Sequence, residues 1–177
     1  MKKCLIVVDY QNDFVTGSLG FPQAKELDSR IAAKIDAYHQ NGDDVLFTFD
    51  THGDDYLTTR EGRALPIAHC LENTPGHDLY GKTAACRQAQ DRCFYKSTYG
   101  SDTLFDYLRA NAYQSIELVG LVSNICVLSN AVLAKTAQPE TQIFVDAACT
   151  DSNDKTLHRA ALQVMQGIQI DIINERE

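Results

Sequence analysis

Four stretches of the chain hold residue types able to do chemistry. VVDYQNDF (7–14) ends an apolar run on Asp9, a carboxylate suited to general-base work, and FYKSTYG (94–100) carries Lys96, a cation. GLVSNICV (120–127) places Cys126 behind a glycine and a short turn. A base, a cation and a thiol are the set that acyl transfer through a thioester requires. The fourth stretch is FDTH (49–52), where Asp50 and His52, two apart, can turn toward one ion; Glu61 and His69 follow in the next segment. Mixed nitrogen and oxygen ligands suit zinc, manganese or iron.

Each of these residues also has a plainer reading. Asp9 can cap a turn, Lys96 can be a solvated lysine, and Cys126 can be a packed thiol, since free cysteine is commonly buried. Surface Asp and His often co-occur, and Cys70 beside His69 reads as a packed thiol before a soft ligand. His39, His77 and His158 read as surface or helix residues. A shared location would lift the set above these readings, and location depends on the elements that carry it.

Apolar runs at 4–9, 45–50, 92–95, 115–119, 141–145 and 168–173 read as strands. Helices are expected at 26–40, 102–110, 124–136 and 153–166, the first with Leu27, Ile31, Ile35 and Tyr38 on one face and Asn41-Gly42 as its stop. Ser101 and Ser152 read as caps, and Gly167 as a stop. The stretch 51–90 reads as long and irregular, which in a compact domain points to function. Strands alternating with helices imply an α/β fold: a three-layer, doubly wound, mainly parallel sheet of about six strands with helices on both faces, in one domain over 1–177.

In such sheets ligands bind outside the carboxyl ends of the strands. That rule gathers Asp9, Asp50, Lys96, the Gly120 turn and Asp146 on one rim. The helix after Gly120 should lower the Cys126 thiol pKa from about 8.5, and its N–H groups suit an oxyanion.

Composition limits the rest. The chain has 177 residues, 44% hydrophobic and 23% charged, enough for a sizeable core. Its 16 basic against 24 acidic residues give −8, which argues against binding a phosphate backbone, so no nucleic-acid partner is expected. No apolar run spans a bilayer, so no membrane partner is expected either. The run after MKK breaks at Asp9, too early for a signal-peptide core. Six cysteines without CxxC pairing read as free thiols, and a cytoplasmic, reducing location is expected.

With these residues assembled, the chain resembles the isochorismatase-like cysteine hydrolases, and within them the nicotinamidases. VVDYQNDF, FDTH, PIAHCLENTPGHDL (66–79), FYKSTYGSD (94–102) and GLVSNICV carry the resemblance, in family order over most of the chain. FDTH and the His69-Cys70 segment point to the nicotinamidase branch because they resemble its metal site.

The resemblance implies a triad of Asp9, Lys96 and Cys126. It implies a divalent metal on Asp50, His52 and His69 with Glu61 as a fourth ligand, zinc first and manganese or iron as alternatives. Phe14 and Tyr99 match positions that flank a pyridine ring. A cis peptide between Leu121 and Val122 would put the Val122 and Cys126 N–H groups into an oxyanion hole. The implied activity is conversion of nicotinamide to nicotinate and ammonia, in NAD salvage, by a homo-oligomer.

Ser123-Asn124 departs from the pattern, which commonly has Thr-Asp or Thr-Glu there, and removes a charge near the thiol. Two alternatives stand beside this reading. One is a hydrolase of the same fold acting on another amide or on isochorismate, whose vinyl ether needs no cysteine nucleophile and no pyridine-holding metal. The other is a non-catalytic metal-binding member, against which the intact Asp9, Lys96 and Cys126 argue.

Overall fold

The computed structural model describes residues 1–175. Strand β1 (Cys4–Val8) is buried at every position. Cys4, Ile6 and Val8 enter one core and Leu5 and Val7 the other, the period-2 alternation of a strand covered on both faces. A short helix α1 (Asn12–Val15), a 3-10 turn (Pro22–Leu27) and α2 (Asp28–Gln40) lead to β2 (Asp44–Asp50). Then come α3 (Arg60–Ala64), α4 (Gly81–Cys86), β3 (Arg92–Lys96), α5 (Asp102–Ala110) and β4 (Ser115–Leu121). The chain continues through α6 (Leu128–Ala137), β5 (Gln142–Asp151), α7 (Lys155–Gly167) and β6 (Asp171–Ile173).

Among the described residues these strands form one sheet in the order β3-β2-β1-β4-β5-β6, and every pairing is parallel. The chain builds outward from β1 in one direction and then crosses to the other side. The order therefore reverses between β1 and β4, which opens a crevice at their carboxyl ends. Among the described residues no helix is long and apolar enough to cross a membrane.

Helices α5, α6 and α7 cover one face through Leu104, Leu108, Ala131, Ala134, Leu162 and Met165. Helix α2 covers the other through Ile31 and Ile35. Its first residue follows Leu27, which offers no side-chain cap, so burial of its apolar face holds it; a fully buried Ile contributes about 1.5–3 kcal/mol. At Gly120 (φ +111°) a Cβ would meet the Val8 carbonyl oxygen at 2.0 Å. Only glycine lets β4 approach β1 this closely at the reversal point.

Several expectations need correction. The stretch 51–90 is not wholly irregular, since it holds α3, α4 and two 3-10 turns. The helix expected from residue 26 starts two residues later, after the 3-10 turn. Asp154, not Ser152, caps α7, accepting from the Thr156 and Leu157 N–H groups. The last strand is shorter than expected, Asp171–Ile173. β5 does not end at Asp146: Leu118 pairs with Val145 and Gly120 with Thr150, so the strand bulges at 146–149 and runs on to Asp151.

Candidate active site

Four chain segments meet at the crevice. Asp9 follows β1 with φ +45°, a left-handed conformation that Asp tolerates better than most residues. Its carboxylate is buried, accepting from the Thr48 hydroxyl at 2.6 Å and lying 2.6 Å from the Lys96 ammonium. Lys96, the last residue of β3, also donates to the Thr98 carbonyl at 3.0 Å and to Asp50 at 3.4 Å, and it reaches the Cys126 sulfur at 3.7 Å. Cys126 sits in a π-helical turn (Ser123–Val127) leading into α6. The peptide between Leu121 and Val122 is cis, and the Val122 carbonyl accepts the Ile125 and Val127 N–H groups.

The charges are set by burial and by each other. Burial pushes the Cys126 thiol well above its ordinary pKa, the Asp9 carboxylate adds to this, and Lys96 opposes it. Desolvation in this pocket disfavours the thiolate and works against the lowering expected at a helix terminus. Burial also raises Asp9 despite Lys96 and Thr48. For Lys96 burial favours the neutral amine, but the neighbouring carboxylates, Asp9 before Asp50, oppose this and its pKa stays above the ordinary lysine value. The Cys126 sulfur thus lies 3.7 Å from a lysine that is itself 2.6 Å from the Asp9 carboxyl.

Asp50, His52 and His69 form a second group, all buried, whose ligand atoms lie within 4.8 Å of one another. The Asp50 Oδ2 is 3.0 Å from His52 Nε2 and 3.3 Å from His69 Nε2. His69 Nδ1 donates to the Ile67 carbonyl at 2.8 Å, which leaves Nε2 as the nitrogen with a free lone pair. One carboxylate and two imidazoles with converging atoms fit a divalent metal ion. Glu61 stands further out, its Oε1 3.8 Å from both imidazole Nε2 atoms. Cys70 is buried in the core outside this group.

Both groups border one cavity of about 210 Å³, lined by Phe14, Tyr99, Val122, Cys126, Asp50 and His69. Cys126 is 5% exposed, buried but open to this space. Phe14 meets the His69 ring edge-on at 5.6 Å, and Leu19, Phe21 and Leu65 complete an apolar wall. A small volume, a largely apolar lining and polar groups at Asp50 and His69 suit a small ring with a polar substituent.

Asp146 is not part of the site. The bulge in β5 leaves it on the α2 face of the sheet, where it pairs with Lys34 at 2.7 Å.

The polar run behind Asp9 does work that the sequence did not assign. Gln11, fully buried, brackets the Asp50 backbone, accepting its N–H at 2.8 Å and donating to its carbonyl at 2.9 Å and to that of His77 at 2.8 Å. Asn12 donates to the Pro75 carbonyl at 2.7 Å, and Asp13 accepts the Cys70 N–H at 2.7 Å, next to His69. Three successive polar residues thereby fix the segment 70–78 that follows His69. Their adjacency was the only signal. His158 lies on α7 as expected, yet its Nδ1 bonds the Ser123 hydroxyl at 2.8 Å, at the start of the Cys126 turn.

Comparison with known proteins places this geometry. The isochorismatase domain model matches residues 3–176. A nicotinamidase/pyrazinamidase of Mycobacterium tuberculosis is 28% identical, covering 97% of this chain and 98% of that protein. The structure of nicotinamidase/pyrazinamidase PncA from Bacillus subtilis superposes with a TM-score of 0.87 at 30% identity, over 97% of this chain and 99% of that one. A pyrazinamidase of Pyrococcus horikoshii in complex with zinc shares the fold, with a TM-score of 0.86 at 22% identity over 99% and 100% of the chains.

Proposed function

The chain belongs to the isochorismatase family, and from that premise we propose that it is a nicotinamidase, hydrolysing nicotinamide to nicotinate and ammonia through a thioester on Cys126. One observation carries the reading: Lys96 touches Asp9, Asp50 and the Cys126 sulfur at once, beside a cavity that also reaches His69. The nicotinamidase relatives support the substrate class. The donor set supports a metal-assisted reaction, with zinc the first candidate in view of the Pyrococcus complex.

In this reading Asp50, His52 and His69 would hold a divalent ion, which would supply a Lewis acid for the ring nitrogen of the substrate. Phe14 and Tyr99 flank the ring and exclude water, leaving the carboxamide over the sulfur. Asp9 takes the thiol proton, and its raised basicity suits it to that transfer. The Lys96 charge stabilises the thiolate as it forms. Sulfur attacks the amide carbon, and the Val122 and Cys126 N–H groups receive the developing negative charge. Asp9 returns the proton to the leaving nitrogen, releasing ammonia. The same carboxylate then activates water, which hydrolyses the thioester to nicotinate and frees the thiol. Glu61 is proposed as an outer fourth ligand.

Chelation tests the metal half of the scheme. Ammonia release from nicotinamide should fall to background after dialysis against a chelator and return with zinc or manganese. Activity that persists in fully stripped protein would remove the Asp50–His52–His69 group from the reaction.

A further inference from the structure

Two buried amide side chains stand at opposite ends of α6, and both tie it to α5. At the C-terminal end Gln138 donates to the Leu108 and Asn111 carbonyls at 2.8 Å each and accepts from the Tyr113 N–H at 3.2 Å. At the N-terminal end Asn130, fully buried, accepts the Ser101 N–H at 3.0 Å. It donates to the Cys126 carbonyl at 2.8 Å and to the Tyr99 carbonyl at 3.1 Å. The chemistry matches, but the groups held do not. Gln138 joins helix ends and turns that contribute nothing to the cavity. Asn130 joins the backbone of the sulfur-bearing residue to the loop that follows Lys96, and that loop holds Tyr99, which lines the cavity, and the Thr98 carbonyl, which Lys96 bonds.

We propose that Asn130 is a positioning residue for the reaction: it locks the Cys126 turn against residues 97–101, so that the sulfur, the Lys96 ammonium and the Tyr99 ring hold one register. The inference rests on the reading of Cys126 as nucleophile. Both donors and the acceptor of the amide are engaged at once, which an isosteric Asp cannot reproduce because it has no N–H. Asn is also a poorer helix former than Ala or Leu, so its use in the first turn of α6 needs a gain elsewhere. The three bonds from this one amide to the backbone of Ser101, Tyr99 and Cys126 supply that gain.

The test compares Asn130→Ala with Gln138→Ala in the full-length, metal-loaded protein. Both variants should lower the thermal midpoint, and metal content per chain should stay unchanged in both. Only Asn130→Ala should lower kcat on nicotinamide, by about a hundredfold, the scale of a 1 Å misplacement of a reacting group, with KM raised as Tyr99 loosens. Asn130→Ser keeps a hydroxyl able to bond the Cys126 carbonyl one turn back, and its kcat should lie between wild type and Asn130→Ala. If Asn130→Ala does not fold, Asn130→Ser carries the same comparison with Gln138→Ala. Equal loss of kcat at positions 130 and 138, or loss at neither, overturns the proposal. Should wild type release no ammonia from nicotinamide, the functional reading fails by itself. The positioning claim is then read from the rate of Cys126 alkylation by iodoacetamide: a change in the position-130 variant alone supports it, and no change refutes it.

Discussion

Two lysines in this molecule each lie between two carboxylates. Lys96 is 2.6 Å from Asp9 and 3.4 Å from Asp50, with its side chain 1% exposed. Lys34, on α2, is 2.6 Å from Glu117 and 2.7 Å from Asp146, with its side chain 23% exposed. By distance alone Lys34 is the better paired. The two regions differ in what else is present. The Lys34 acids are completed by the Tyr38 hydroxyl on Glu117 at 2.8 Å and the Asn174 amide on Asp146 at 2.9 Å. The Lys96 acids share their cation with a thiol that opens on a cavity. A buried charge cluster is therefore no mark of a site until a reactive atom and a space for a substrate accompany it.

The comparison breaks first on activity. Lys96→Met should lower kcat/KM for nicotinamide by about a hundred- to a thousandfold, the scale of removing one preorganised electrostatic stabiliser. Lys34→Met should leave kcat/KM unchanged. Equal losses in the two variants would erase the distinction between the regions.

Stability sharpens it next. Lys34→Met leaves Glu117 and Asp146 facing each other without a cation. Urea unfolding should register a loss of about 3 kcal/mol, the low end for breaking a buried pair because this lysine is partly exposed. A smaller effect is expected in acid. Burial favours the protonated form of Asp146, but Lys34, Asn174 and the Ala148 N–H outweigh it and depress its pKa. A depressed carboxylate contributes stability that is complete above its unfolded value of about 3.9 and lost as pH falls through the folded one. Unfolding free energy measured below about pH 4 should therefore fall less steeply in Asp146→Asn than in wild type. Identical slopes would place the acid-sensitive group elsewhere.

Much of the molecule was legible because its signals are local. Apolar runs ending in Asp9, Asp50 and Lys96 announced strands, and the carboxyl-end rule brought these three to one rim before any coordinates. Asp146 was misplaced by the same logic. An acid at the end of an apolar run looked like a strand terminus, whereas Ala147 to Thr150 carry β5 onward through a bulge. The tasks of Gln11, Thr48 and Asn130 were not legible for a different reason, although the polar run holding Gln11 stood out. Each acts on a partner 29 or more residues away, often on backbone that any residue supplies, and such contacts leave no period or spacing in the chain. A helix terminus beside Cys126 can be read from sequence, while the desolvation that pushes the thiol pKa up belongs to the assembled pocket.

Ammonia release from nicotinamide, measured side by side for metal-loaded wild type and Cys126→Ala, bears most directly on the role given to the sulfur. Steady turnover by wild type and none above background in a folded, metal-binding Cys126→Ala is the result expected here. Comparable turnover by both proteins would contradict it.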